Sequence, residues 1–197
     1  MKKRFVLTMA LFAIVLGCSV PKPATSQDKK PVATPSPSES KAAEAAQAAE
    51  AVKGLRDMLL TSSAEDLGLS GKDAKAKVWA VLMEVGLPEA VSTIVSIRDG
   101  TASLYTSTGG GIMGGYSAQE QAKRFVVEAE KHVGAMKPTK TFPYPEVGRM
   151  KFYVLTKDGV YTAEAGEDEL VKGQHALSPL FWVGNDVITG LRVASGK

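Results

Sequence analysis

The chain has one cysteine, Cys18, and it stands where an early apolar stretch ends. From Ser19 onward there is no thiol. No disulfide can staple the chain beyond it, and no thiolate can ligate a metal or act as a nucleophile there. Whatever folds downstream must be held by its own apolar core, and residues 64–197 are long enough to build one. The stretch before the cysteine reads as an export signal. Lys2, Lys3 and Arg4 are basic, and Phe5 to Gly17 is apolar except for Thr8. That run is too short for a membrane-spanning helix, which takes about 20 residues, and it has the layout of a secretory signal.

Val15-Leu16-Gly17-Cys18 resembles the bacterial lipobox, the motif read by lipoprotein signal peptidase. Leu16 departs from the pattern, since a small residue is commoner two positions before the cysteine. The resemblance implies diacylglycerol on Cys18, cleavage before it, and an acylated new amino end. Two acyl signals anchor stably where one is marginal. The residue after the lipidated cysteine is Ser19, not the aspartate that commonly retains such proteins at the inner membrane. In a Gram-negative host the resemblance therefore implies an outer-membrane anchor facing the periplasm.

Charge excludes one class of partner. The whole chain has 24 basic and 21 acidic residues; three basic and no acidic residues precede Cys18, so the remainder holds 21 of each. A neutral mature chain lacks the basic face of a nucleic-acid binder.

Composition divides the rest. Residues 1–17 are the signal. Residues 18–40 join Cys18 to a tether with Pro21, Pro23, Pro31, Pro35 and Pro37 set among Ser, Thr, Lys and Ala. Such a stretch buries too little apolar surface to order itself, and proline extends it into a spacer. Residues 41–63 are rich in Ala, Glu and Gln, strong helix formers, with Ser40 as the expected cap. Ala45, Ala48, Val52, Leu55 and Leu59 recur at helical spacing, which predicts an apolar stripe. The stripe packs on the chain's own domain, or the helix extends the stalk, or 41–60 pairs with a second copy.

Residues 64–197 read as a globular α+β domain. Val78–Val85 is a mostly apolar run. Ala90–Arg98 and Thr101–Thr108 flank the turn signal Asp99-Gly100, and Arg149–Lys157 and Val160–Ala165 flank Asp158-Gly159. Ser117–Met136 predicts a helix opened by a Ser117/Glu120 capping box, with Ala122, Phe125, Val126, Ala129 and Val133 inward. Pro179–Val193 predicts a closing helix. The expected product is one antiparallel sheet of about five strands with helices packed on it. This element order, over roughly Val78 to Val193, resembles the profilin-like and roadblock-like modules in topology. The resemblance implies an interaction or ligand-sensing domain.

Candidate chemistry is sparse. Gly109, Gly110, Gly111, Gly114 and Gly115 form a glycine-rich loop after an expected strand and before an expected helix. Its Gly109-x-Gly111-x-x-Gly114 spacing matches the dinucleotide fingerprint, and amides at a helix start favour anions. The strand before it belongs to a hairpin rather than a βαβ unit, so a plain flexible loop is the leading reading and an anion loop the alternative. His132 sits on a charged helix and reads as a surface residue. His175 and Ser178 can be drawn as base and nucleophile, but they lack a Gly-x-Ser-x-Gly elbow, and Ser178 before Pro179 reads as a helix N-cap. Glu164, Glu167, Asp168 and Glu169 lack the spacing of a calcium loop. Trp79, Tyr105, Phe152, Tyr153, Phe181 and Trp182 read as core. The residues thus predict no catalytic set, no metal and no cofactor. The expected role is a lipid-anchored envelope module that binds a ligand or an envelope partner. The alternatives are an enzyme working at the glycine loop and a structural protein that oligomerises through 41–60.

Overall fold

The run that begins at Val78 becomes the middle of a sheet. The computed structural model describes residues 37–113 and 118–196. The expected signal, Cys18 and the tether up to residue 36 lie outside the described residues, as do Gly114, Gly115 and Ser117. Strand β1 (Val78–Gly86) is covered on both faces, which explains its nearly unbroken apolar sequence. It pairs antiparallel with β2 (Val91–Ile97) and β6 (Arg149–Thr156). Outward lie β3 (Ala102–Thr106) and β4 (Gly111–Met113) on one side, and β7 (Gly159–Gly166) and β5 (Lys137–Thr139) on the other. The order is β4-β3-β2-β1-β6-β7-β5, and every pairing is antiparallel.

The sheet has seven strands, not the expected five. The two additions are its edges, and each is three residues long. One begins inside the glycine run and the other holds Pro138. Glycine and proline read as strand breakers, yet short edge strands are where proline is tolerated and where unpaired edges are kept brief.

Helices α3 (Gln119–His132) and α5 (Ser178–Ala194) cover one face. Ala122, Phe125, Val126 and Ala129 of α3 face inward at the predicted spacing, onto Val81, Met83 and Ile94 of the sheet. Ala118 takes the cap position of α3 without a side-chain hydrogen bond, and a 3-10 turn (Val133–Ala135) extends the helix. In α5, Gly184 marks the closest approach to the sheet: a Cβ there would lie 2.7 Å from Met83 Sδ and 3.1 Å from Phe125.

The other face is covered by the second half of α1 (Pro37–Thr61) and the segment after it. Leu59, Leu60, Ala64 and Leu69 pack on Ala80, Leu82, Val95 and Tyr153. The Ala-rich helix is therefore a layer of the domain. Its buried side departs from the expected stripe. Leu55 is 39% exposed, while Arg56, Leu59 and Leu60 turn inward. Residues 40–47 are exposed, and Ala48 is the first residue of α1 to lie against the sheet, at the Gly109 turn. Two short helices, α2 (Gly71–Ala74) and α4 (Glu167–Val171), finish the fold.

Candidate functional site

Glu84 and Glu164, on the α1 side of the sheet, each anchor a polar constellation, and Lys151 lies between them. Across the central strands, Glu84 of β1 is the register partner of Lys151 of β6, and Lys151 is in turn the partner of Glu164 of β7.

The inner constellation is closed. Glu84 is fully buried, and its carboxylate accepts hydrogen bonds from Arg56 Nε and from Arg56 Nη2, the latter at 2.9 Å. Arg56 Nη2 also donates to the Phe142 carbonyl at 2.9 Å. The guanidinium lies over the Tyr144 ring, 4.1 Å from its centroid. Thr93 Oγ1 donates to Glu84 at 3.3 Å. Burial pushes the Glu84 carboxyl above its ordinary value, and Arg56 and Thr93 pull it back part of the way. Burial, with the nearby Glu84 charge, also pushes the Tyr153 hydroxyl up to about 12; that hydroxyl donates to the Pro143 carbonyl at 2.6 Å. A bidentate fork, with Nη1 lying 3.6 Å from Asp57, holds α1 to the sheet.

The outer constellation is open. Strand β5 pairs with β7 only from Lys137 opposite Thr162 to Thr139 opposite Val160. Before Lys137 the chain turns away into the 3-10 turn, while β7 runs on to Gly166. The vacated space is a cleft of about 610 Å³, within the range of small-ligand sites. Its apolar lining is Ala135, Ala163, Ala176 and Leu177, of which only Leu177 is buried. Around it stand His132, His175, Lys137, Lys151, Thr162 and Glu164.

The ionic groups here are tied in known directions. Glu164 lies 2.8 Å from Lys151 Nζ and accepts from Arg149 Nε at 2.9 Å. Burial alone would raise its carboxyl, but these two cations outweigh that and hold it below the ordinary value. His132 Nε2 is 3.2 Å from Glu128, which also accepts from Lys131 at 2.6 Å. The Lys131 bond is the main reason the Glu128 carboxyl is lowered. His175 Nδ1 accepts the Leu177 N–H at 3.1 Å. The neutral ring then carries its proton on Nε2 and has that donor to offer. Lys137, which forms no ion pair among the described residues, and the His175 Nε2–H in the same lining favour an anionic guest.

The structure brings together residues the sequence left apart. His132 and His175 line the same cleft, 43 positions apart in the chain. The signal for this was weak: these are the only two histidines, and nothing in their spacing links them. Ser178 opens α5 as its first residue, with Leu177 at the cap position, so it is not the expected N-cap. Its hydroxyl oxygen accepts the His175 backbone N–H at 3.4 Å, and the residue is 5% exposed. Of the acidic run, Glu169 accepts the Gly166 N–H and Asp168 pairs with Lys172. Among the described residues no group of three His, Cys, Asp or Glu side chains is placed to hold a metal. Five of the six expected core aromatics are buried; Trp182 is 50% exposed, edge-on to Phe181.

The glycine run is partly a hairpin. Gly109 and Gly110 adopt φ of +96° and +82° and turn β3 into β4, where Gly111 pairs with Tyr105. The Gly109 N–H is spent on the Thr106 carbonyl at 3.0 Å, and α3 begins only at Gln119. Among the described residues of this run, no amide stands at a helix start. The Arg56–Glu84 pair was missed by sequence reasoning. Its signal was a charged residue inside each of two apolar patterns, Arg56 on the inward side of the helix and Glu84 in the run from Val78.

No known protein family, no curated protein and no solved structure matches the chain. No described helix is long and apolar enough to cross a membrane.

Proposed function

We propose that this chain is a lipoprotein of the bacterial envelope whose domain binds a small anionic ligand in the cleft beside β7. The observation that carries the binding half is the meeting of Lys137 and His175 beside the Lys151–Glu164 pair, in a cleft lined by Ala135, Ala163 and Ala176 at the place where an edge strand stops short. The role is binding rather than turnover. Thr162 Oγ1, the hydroxyl in the cleft lining, donates to the Phe152 carbonyl at 3.0 Å, and Ser178 is buried. Neither is held by an imidazole as an activated nucleophile is. The anchoring half is supported by sequence: Cys18 after the apolar run, then a proline-rich tether. At about 3 Å per residue, the 18 residues from Ser19 to Ser36 that precede α1 give the domain a reach of at most ~55 Å from its membrane.

Each half has its own test. With Cys18→Ser, labelled fatty acid is expected to disappear from the product and the precursor to stay uncleaved; normal processing and membrane retention would refute the anchor. For the cleft, ring signals of His132 and His175 are expected to move together when a low-molecular-mass extract of the host envelope is titrated in. Stationary rings across that titration would refute the binding reading.

A further inference from the structure

The edge of β7 carries more than side chains into the cleft. Pro138 has no N–H, so opposite Tyr161 it occupies a non-bonding position of the ladder. The outward main-chain groups of β7 therefore belong to Val160 and Thr162, and by alternation to Glu164 and Gly166. Val160 and Thr162 meet Thr139 and Lys137 of β5. The Gly166 N–H is taken by the Glu169 carboxylate at 3.2 Å. Glu164 is left with an N–H and a C=O directed at the cleft, beyond the point where β5 ends. An edge of this kind is a template for an added strand.

We propose that the cleft receives the C-terminal end of a short extended peptide, which pairs with the Glu164 main chain and gives its carboxylate to Lys137 and His175. This rests on reading the cleft as the ligand site, and narrows the ligand to one chemistry. Three features select it. The outward pair on Glu164 matches the amide and carbonyl of one guest residue. The surplus of positive charge, with His175 Nε2–H as a donor of fixed direction, suits a carboxylate. The alanines at 135, 163 and 176 leave space for small guest side chains and contact them closely. Strand rise is about 3.4 Å per residue, so β7 between Thr162 and the start of α4 has room for about two or three guest residues and no more.

The experiment titrates the full chain, purified in detergent, with three probes by calorimetry: trialanine, trialanine amide and acetate. Trialanine is expected to bind at least about tenfold more tightly than either of the others, since each lacks one half of the recognition. Glu164→Pro removes the outward N–H without touching a ladder bond, and is expected to weaken trialanine about tenfold. Glu164→Gln keeps the N–H and is expected to retain binding within about threefold. Because proline can disturb folding, His175→Ala serves as the second variant: it should weaken trialanine and leave the amide unchanged. Equal binding of acetate and trialanine would leave a simple anion site and overturn the peptide proposal alone. Trialanine binding that Glu164→Pro and His175→Ala leave intact would also overturn it. If no probe binds but the envelope extract still moves the histidine rings, the peptide is wrong and the cleft stands; if neither happens, both fall.

Discussion

Glu84 and Glu164 lie on the same face of the same sheet with Lys151 between them, and they have opposite fates. Glu84 is fully buried, gripped by Arg56, and holds its proton more tightly than a free carboxyl. Glu164 is about a third exposed, paired with two cations, and releases its proton more readily. Residue type and sheet face are alike; cover is not. α1 and the Phe142–Tyr144 segment close over Glu84, whereas β5 ends before it reaches Glu164. Where the fold is capped, a charged pair becomes a fastener. Where an edge strand stops short, the same kind of group borders a binding site.

The largest effect should come from breaking the closed pair. Arg56→Leu strands a buried carboxylate and is expected to cost about 3–5 kcal/mol in urea unfolding. Adding Glu84→Leu should restore most of it, because replacing both members of a buried pair with apolar groups is often neutral or better. A single variant that costs under about 1 kcal/mol would mean the fork is wet and the contrast with Glu164 is false.

The next effect separates sealed surface from open surface. Gly184→Ala places a methyl against Met83 and Phe125, and overpacking there is expected to cost about 1–3 kcal/mol. Ala176→Val adds more bulk, but at an exposed position of the cleft, and should stay within about 0.5 kcal/mol. Similar melting temperatures for the two variants would erase the distinction.

Legibility in the sequence divides along the same line. The inner strands, both Asp-Gly hairpins and the long helices were readable, because each is a run long enough to show its period. The edge strands were not: three residues have no period, and Gly111 and Pro138 announce turns. The inward face of α1 was misread because Arg56 looks like a surface residue until Glu84 is placed across from it. The cleft was least legible. It is made by where β5 ends and by two histidines joined only through the fold, and no local pattern in the chain encodes either.

The smallest expected effect is also the most direct test of the two carboxylates. A carboxyl whose folded value lies below its ordinary value, 4.5 for glutamate, adds stability that is present above that value and lost as pH falls through the lowered folded value. Glu164 and Glu128 are of this kind. Glu84 runs the other way: its folded value is raised, so its contribution grows as pH falls toward 4.5 and is complete below it. The melting temperature should therefore hold or rise slightly on acidifying from neutrality to about pH 4.5, then decline. Glu164→Gln should remove part of the decline and leave the earlier segment untouched. Because the Glu164 pairs are partly solvated, the difference should be about 0.5 kcal/mol, or roughly 1–3 °C for a domain of this size. A profile for Glu164→Gln that superimposes on the parent below pH 4.5 would show that the Arg149–Lys151 clamp contributes nothing, and that Glu164 is ionic in geometry only.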